Sequence, residues 1–280
     1  TAVCYTREFR DPKRDTFKAI FYSGLGCLAV FILVPLSFQG ALGLTGMLAP
    51  DIYSGMGVGK AMANMLGGGP FIETVVAILL VFALMLTIMT AMAGSSRTLY
   101  QASVDGWLPR YLSHVNEQGA PTRAMWTDLC FNLILLMMSD YLFILAASNV
   151  GYIIFNFLNL NAGWIHRMDR PNWERPYKAP TILIVIGGIL AFVNAALMGA
   201  GADVWGANTL WTGLIFAALI IPVFLFRHYI QDKGVFPKDM VQDMHLGKEE
   251  KVEKRAGNLP YVALAAGVLI VLITHYWATS

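Results

Sequence analysis

The sequence predicts an all-α protein that crosses a lipid bilayer seven times, and three observations carry that prediction. The 280 residues are 56% hydrophobic and 14% charged, with a mean hydropathy of +0.56, too apolar and too sparsely charged for a water-soluble domain. The apolar residues fall in blocks about long enough to cross ~30 Å of hydrocarbon at 1.5 Å per residue, which takes roughly 20 residues. Period-2 alternation, the mark of a membrane β-barrel, is absent. Finally, Lys and Arg collect in alternate loops, the pattern left when one set of loops stays in the cytoplasm.

The first block, 17–40, follows the basic string "REFRDPKRDTFK" and leads into a glycine-rich outer loop, 40–70, with a short helical stretch over Val58–Leu66. So long a loop is uncommon unless it covers or gates something. The second block, 71–95, carries Thr87 and Thr90 three residues apart on one helical stripe, with Ser95 and Ser96 near its inner end. It gives way to "GSSRTLYQASVDGWLPR", 94–110. Here Arg97 and Arg110 hold the chain on the cytoplasmic side, Tyr100 and Trp107 suit the headgroup zone, and Gly106 and Pro109 end the helix.

The third block, 124–139, is short, but Arg123 and Asp140 reach the interfaces from its two ends. In the fourth, 142–165, Asn149, Tyr152 and Asn156 recur at helical spacing beside Ser148. They line a polar cavity or make hydrogen bonds between helices, and the spacing is compatible with both. The fifth and sixth blocks are 180–201 and 209–227. A linker, 228–258, follows with the charged run "GKEEKVEKRAGN", read as a solvated segment near anionic headgroups. The last block, 259–277, reads as an appended span ending in an interfacial belt of His275, Tyr276 and Trp277.

Charge placement orients this plan. Arg7, Arg10, Lys13, Arg14 and Lys18 precede the first span; Arg97, Arg110 and Arg123 follow the second; Arg167, Arg170, Arg175 and Lys178 follow the fourth. Arg227, Lys233, Lys238, Lys248, Lys251, Lys254 and Arg255 follow the sixth, which leaves Lys60 alone on the other side. The residues before Phe17 are therefore expected in the cytoplasm and the C-terminus outside, in a multi-pass protein of the plasma or inner membrane. A seven-span receptor or sensor would need the opposite orientation. It and an accessory membrane subunit are alternative readings.

Enzyme motifs fail on inspection. "GLGCLA" (24–29) lies inside a span with no preceding strand, and "SGMGVGKA" (54–61) has Ser54 in place of the first Gly and Ala61 in place of the magnesium-holding hydroxyl. His114, His166, His228, His245 and His275 are scattered without ligand spacing, and Cys4, Cys27 and Cys130 suggest no disulfide. The reading is a protein that is not an enzyme, with no cofactor, no resident metal and no nucleic-acid partner. Deep charges are scarce: Glu73 lies one turn inside the outer boundary, and Asp128 is about 7 Å along a helix from Arg123, able to pair with it or to take interfacial water.

Three strings together carry a resemblance. "SSRTLYQASVDGWLPRYL" (95–112), followed by "GAPTRA" (119–124), resembles the segment after the eighth transmembrane helix of amino acid–polyamine–organocation family permeases. Ser96, Arg97, Leu99, Tyr100, Asp105, Gly106 and Pro109 carry the match, while Ser103 and Val104 stand where the pattern usually has Ala and Arg. "REFRDPKRDTFKAI" (7–20) is similar to the stretch after the family's sixth helix, with departures at Arg7, Thr16 and Phe17, and "HRMDRPNWERPYKAP" (166–180) to the linker after its tenth.

The resemblance implies the C-terminal part of a LeuT-type fold, which has two inverted five-helix repeats and holds its substrate where the first and sixth helices are broken. It implies that residues 1–16 end the sixth helix and its loop, 17–227 form the seventh to twelfth helices, and 259–280 is an extra helix. It further implies alternating-access transport of an amino acid or related amine, with H+ or Na+ as coupling ion. The eighth helix would line the substrate and ion region through Thr87 and Thr90, Thr90 lying near where sodium-coupled relatives place hydroxyl ligands. The tenth would contribute Ser148, Asn149 and Tyr152.

Overall fold

The computed structural model describes residues 9–138, 141–173, 175, 177–238, 240 and 255–280. Arg7, Cys4 and the tail of the sixth helix, Asp140 at the end of the third block, His245 and the charged run through Lys254 lie outside the described residues. Among the described residues every regular element is helical, and six helical segments are long and apolar enough to cross a membrane. The protein is an all-α, multi-pass integral membrane protein. The chain divides into two compact units, Thr1–Thr98 and Leu99–Ser280.

In the first unit, α1 (Pro12–Met47) starts five residues before the apolar block because its local signals lie upstream: Asp11 accepts a hydrogen bond from the Arg14 amide at 3.4 Å, Pro12 occupies the first turn, and Asp15 complements the positive end of the dipole. Pro35 sits inside it, and Gly43, at φ 67° and ψ 173°, breaks the helical path near its outer end. Two short helices follow, α2 (Pro50–Tyr53) and α3 (Val58–Met65), the latter over the expected stretch. α3 buries Ala61 and Ala63, and its Gly59 lies close under Leu80 of α4 (Pro70–Val104). From 81 to 91 the α4 side chains are exposed all round, so no described residue covers this apolar stretch.

The second unit holds the packed core. After the end of α4 come α5 (Thr122–Met138), α6 (Tyr141–Asp169), α7 (Thr181–Gly201), α8 (Thr209–Ala218), α9 (Ile220–Leu225), a π-helical turn over Phe226–Gln231, and α10 (Leu259–Thr279). The block expected at 209–227 runs as one apolar helical segment, Thr209–Gln231, with a local change of hydrogen bonding at Leu219, which keeps φ −59° and ψ −20°. Pro222 has no N–H to give the Ala218 carbonyl, so one bond of the helical ladder is missing there. The third expected span, α5, is helical, but at 17 residues it falls short of the roughly 20 that cross unaided and is not among those six.

Val150 and Phe157 of α6, Ala191, Ala195 and Met198 of α7, Leu210 of α8 and Val271 of α10 make one buried cluster. Glycines set the helix separations. A Cβ on Gly213 would fall 2.5 Å from that of Val150, and one on Gly267 would fall 2.5 Å from the Phe157 ring. One on Gly199 would overlap Thr274 and the Val271 backbone. In a bilayer, where lipid tails are as apolar as leucine, such close approach supplies the association energy. Phe157 also meets Phe192 edge-on at 5.3 Å. The last helix, read from sequence as appended, is therefore keyed into α6 and α7.

Candidate functional site

Of the polar residues singled out from the sequence, Thr87, Thr90, Ser148, Asn149 and Tyr152 are exposed, whereas Ser96 is buried and Ser95 and Asn156 are half-buried. In α4, Thr87 and Thr90 donate their hydroxyl protons to the carbonyls of Ala83 and Leu86, each at 2.8 Å. A hydroxyl held this way turns only lone pairs outward, so it presents an acceptor to a cation or an ammonium donor. In α6, the stripe Ala147, Val150, Phe157 and Asn161 is buried, whereas Ser148, Asn149 and Tyr152 are exposed on a different face. Ser148 donates to the Leu145 carbonyl at 2.8 Å and likewise turns acceptor lone pairs outward. Each helix brings its own set together on one face, and the two sets belong to separate units.

Asn161 shows what a purely structural polar residue looks like on the same helix. Buried on the core face, it donates to the Phe157 carbonyl at 2.8 Å and accepts from the Trp164 indole at 2.9 Å. Its polar atoms are engaged within α6 itself, which distinguishes it from Asn149 one face away. Asp128 receives the Asn132 amide at 3.3 Å.

The string that closes α4 is a scaffold. Helix α4 continues through it to Val104, because no Gly or Pro stands between Gly94 and Gly106. At φ 86° Gly106 adopts the left-handed conformation that closes helices, its amide bonding to the Ser103 carbonyl at 3.2 Å while the Trp107 amide reaches Ala102 at 2.8 Å. These are the two bonds of a Schellman cap. Upstream, Ser96 is buried and bonds to the Ala93 carbonyl at 3.2 Å, and Arg97 reaches the same carbonyl at 3.2 Å. Leu99 packs on Leu108, Leu112 and Ala124. Gln101 donates to Asp105 at 2.7 Å, and Ser103 donates to the Pro109 carbonyl at 2.7 Å. The serine that departs from the resembled pattern thus ties the turn shut.

Sequence reasoning missed what this scaffold holds. Arg227, whose side chain is 5% exposed, pairs with Asp232 Oδ2 at 2.6 Å, and Arg110 donates to Asp232 Oδ1 at 2.6 and 2.9 Å. Arg227 also reaches the Ser103 carbonyl at 3.3 Å, and Gln231 accepts from the Arg110 amide at 3.0 Å. Above them Trp107 stacks on Phe224 at 5.3 Å, and Phe236 packs on Trp107 and on His228 at 5.5 and 4.5 Å. Pro237 lies against Gly106, where a Cβ would come within 2.6 Å of its ring. The first ten residues of the segment read as a solvated linker are therefore a latch on the α4–α5 turn. Residues five apart lie about 140° from each other on an α-helix, so a helical reading separates Arg227 from Asp232. The π turn, with the Asp232 amide on the Arg227 carbonyl at 3.0 Å, brings them together.

Comparison with known proteins places the chain in a family. The family model described as "Amino acid permease" matches residues 1–225, which covers both polar faces and leaves α10 outside. An uncharacterised transporter of Legionella pneumophila is 24% identical over 222 residues, 71% of this chain and 45% of that protein. A branched-chain amino acid permease of Lactococcus lactis is 24% identical over 223 residues, 78% of this chain and 45% of that protein. A polyamine transporter of Oryza sativa is 26% identical over 215 residues, 71% of this chain and 39% of that protein. The chain thus spans less than half the length of these curated relatives, and no solved structure matches it. The chain belongs to the amino acid permease family.

Proposed function

We propose that the protein is a secondary active transporter of an amino acid or related amine, working by alternating access in a LeuT-type fold. This chain would supply the helices from the seventh onward. The observation that carries the reading is the family match over residues 1–225, joined to apolar helices whose polar residues are left uncovered by the described chain. The names of two relatives, one a branched-chain amino acid permease and one a polyamine transporter, support that substrate range.

In this reading Thr87 and Thr90 face the substrate and ion pathway with acceptor oxygens, and an Na+ ion or the substrate ammonium group takes their lone pairs. Ser148, Asn149 and Tyr152 are the contribution of α6 to the same pathway. Proton coupling is the other way of driving uptake; Na+ dependence of transport separates the two. The charge distribution supports a cytoplasmic N-terminal end and an external C-terminus. It also requires α5 to cross, because only then do the basic loops before α5 and after α6 share a side. At about 25 Å, 17 residues at 1.5 Å each, α5 spans with modest thinning of the bilayer or with flanking residues reaching outward.

Substrate protection tests the site. Single cysteines at positions 90, 149 and 152 of the complete protein are expected to react with a membrane-permeant thiol reagent, and transported substrate should slow that reaction. Labelling at all three positions that no transported substrate changes would remove these residues from the pathway.

A further inference from the structure

The latch borders a cleft of about 620 Å³ within the second unit, where a binding site of a different kind is built. Its charged wall holds three cations, Arg110, Arg227 and Lys238, against one carboxylate, Asp232. That carboxylate is turned inward, with Oδ1 taken by Arg110 and Oδ2 by Arg227. Its side chain is 5% exposed, whereas that of Arg110 is 64% exposed. One of the five N–H groups of the Arg110 guanidinium and another suffice for Asp232 Oδ1, so further donors remain at the cleft. Lys238 adds an exposed ammonium group, and the cleft carries a net charge of about two positive units by this pairing.

The rest of the wall joins the hydroxyl-bearing Ser103 and Ser113 to the apolar Val104, Val235, Phe236 and Pro237. The cleft also lies where the apolar segment Thr209–Gln231 ends, beside Trp107 and its stacked rings. Cations set against apolar walls at a membrane edge match a group that is anionic at one end and greasy at the other.

We infer that this cleft binds a phosphate-bearing anion, supplied by an anionic phospholipid headgroup or by soluble phosphate. Its lining shares no residue with the proposed transport set of Thr87, Thr90, Ser148, Asn149 and Tyr152. Arg227 forms its buried floor and is fixed by Asp232, while Arg110 and Lys238 meet the ligand. A phosphodiester would seat its oxygens on these two side chains and its glycerol against Val235 and Pro237.

The test uses the complete protein in nanodiscs of phosphatidylcholine, alone, with phosphatidylglycerol, or with inorganic phosphate in the aqueous phase. Bound anion is counted by native mass spectrometry. Two substitutions at exposed positions leave the buried pairs intact: Lys238→Gln removes a cleft cation, and Val235→Lys adds one. Near a membrane surface each such charge changes affinity about five-fold, so K238Q should bind about five-fold more weakly and V235K about five-fold more tightly than the parent. Retention of phosphatidylglycerol alone assigns the source to lipid, and equal occupancy by inorganic phosphate in phosphatidylcholine discs assigns it to a soluble anion. Absence of both, or affinities that neither substitution moves, overturns the site.

Discussion

Replacing Asp232 with Ala isolates the latch and allows its strength to be worked from geometry. The substitution leaves the Arg227 guanidinium, with a side chain 5% exposed, facing only the Ser103 carbonyl at 3.3 Å and Gln231 at 3.4 Å. Breaking a buried pair by removing one partner typically costs about 3–5 kcal/mol, because an uncompensated buried charge is left behind. Removing Arg110 should cost much less: its side chain is 64% exposed, and exposed pairs contribute roughly 0.2–1 kcal/mol. The readout is hydrogen exchange of the Phe226–Val235 amides, which reports local opening. At 1.4 kcal/mol per factor of ten, exchange should rise by roughly 10² to several 10³ in D232A and by less than about ten-fold in R110A. The double replacement Arg227→Met with Asp232→Leu should recover most of the loss, since apolar residues of similar volume often substitute for a buried pair without penalty. Equal exchange in D232A and R110A would refute the claim that Arg227 and Asp232 form the buried half of this cluster.

Three further outcomes follow from the same physical arguments. Gly106→Val should destabilise the protein by at least about 1–2 kcal/mol, the cost of a left-handed non-glycine residue, with the Pro237 contact adding to it; thermal melting in detergent measures this, and an unchanged midpoint would contradict the capping role. Gly267→Leu should force α10 off Phe157 and cost about 1–3 kcal/mol by overpacking, lowering the melting temperature, whereas a helix merely appended to the bundle would tolerate it. Thr90→Ala and Asn149→Ala should change stability by no more than about 0.5 kcal/mol, since both residues are exposed, yet each should reduce uptake several-fold in proteoliposomes.

Elements whose causes are local were legible from the residues. Hydrophobic blocks located the long helices, and Gly106 and Pro109 located the end of α4, because a left-handed cap and a missing N–H act within a few residues. Helix starts shifted outward where charged but helix-competent residues continue the turn, as at Pro12–Asp15. The face on which Ser148, Asn149 and Tyr152 lie was also readable, since a 3.6-residue period fixes it. What escaped were features made by distant segments: the pairing of Arg110 with Asp232, the seating of Pro237 on Gly106, and the keying of α10 by Gly199 and Gly267. The Arg227–Asp232 pair was hidden for a second reason, because it depends on a π turn whose register the apolar pattern does not mark. The proposed substrate class rests on the family resemblance and not on the side chains of this chain.

Uptake by the complete protein, reconstituted in proteoliposomes and offered radiolabelled amino acids and polyamines under imposed H+ and Na+ gradients, tests the transport account most directly. The account predicts saturable accumulation of at least one of these substrates, driven by one of the two gradients and diminished by Thr90→Ala or Asn149→Ala. Uptake that stays at the level of protein-free liposomes for every amino acid and amine, with correctly folded protein in the membrane, would contradict it.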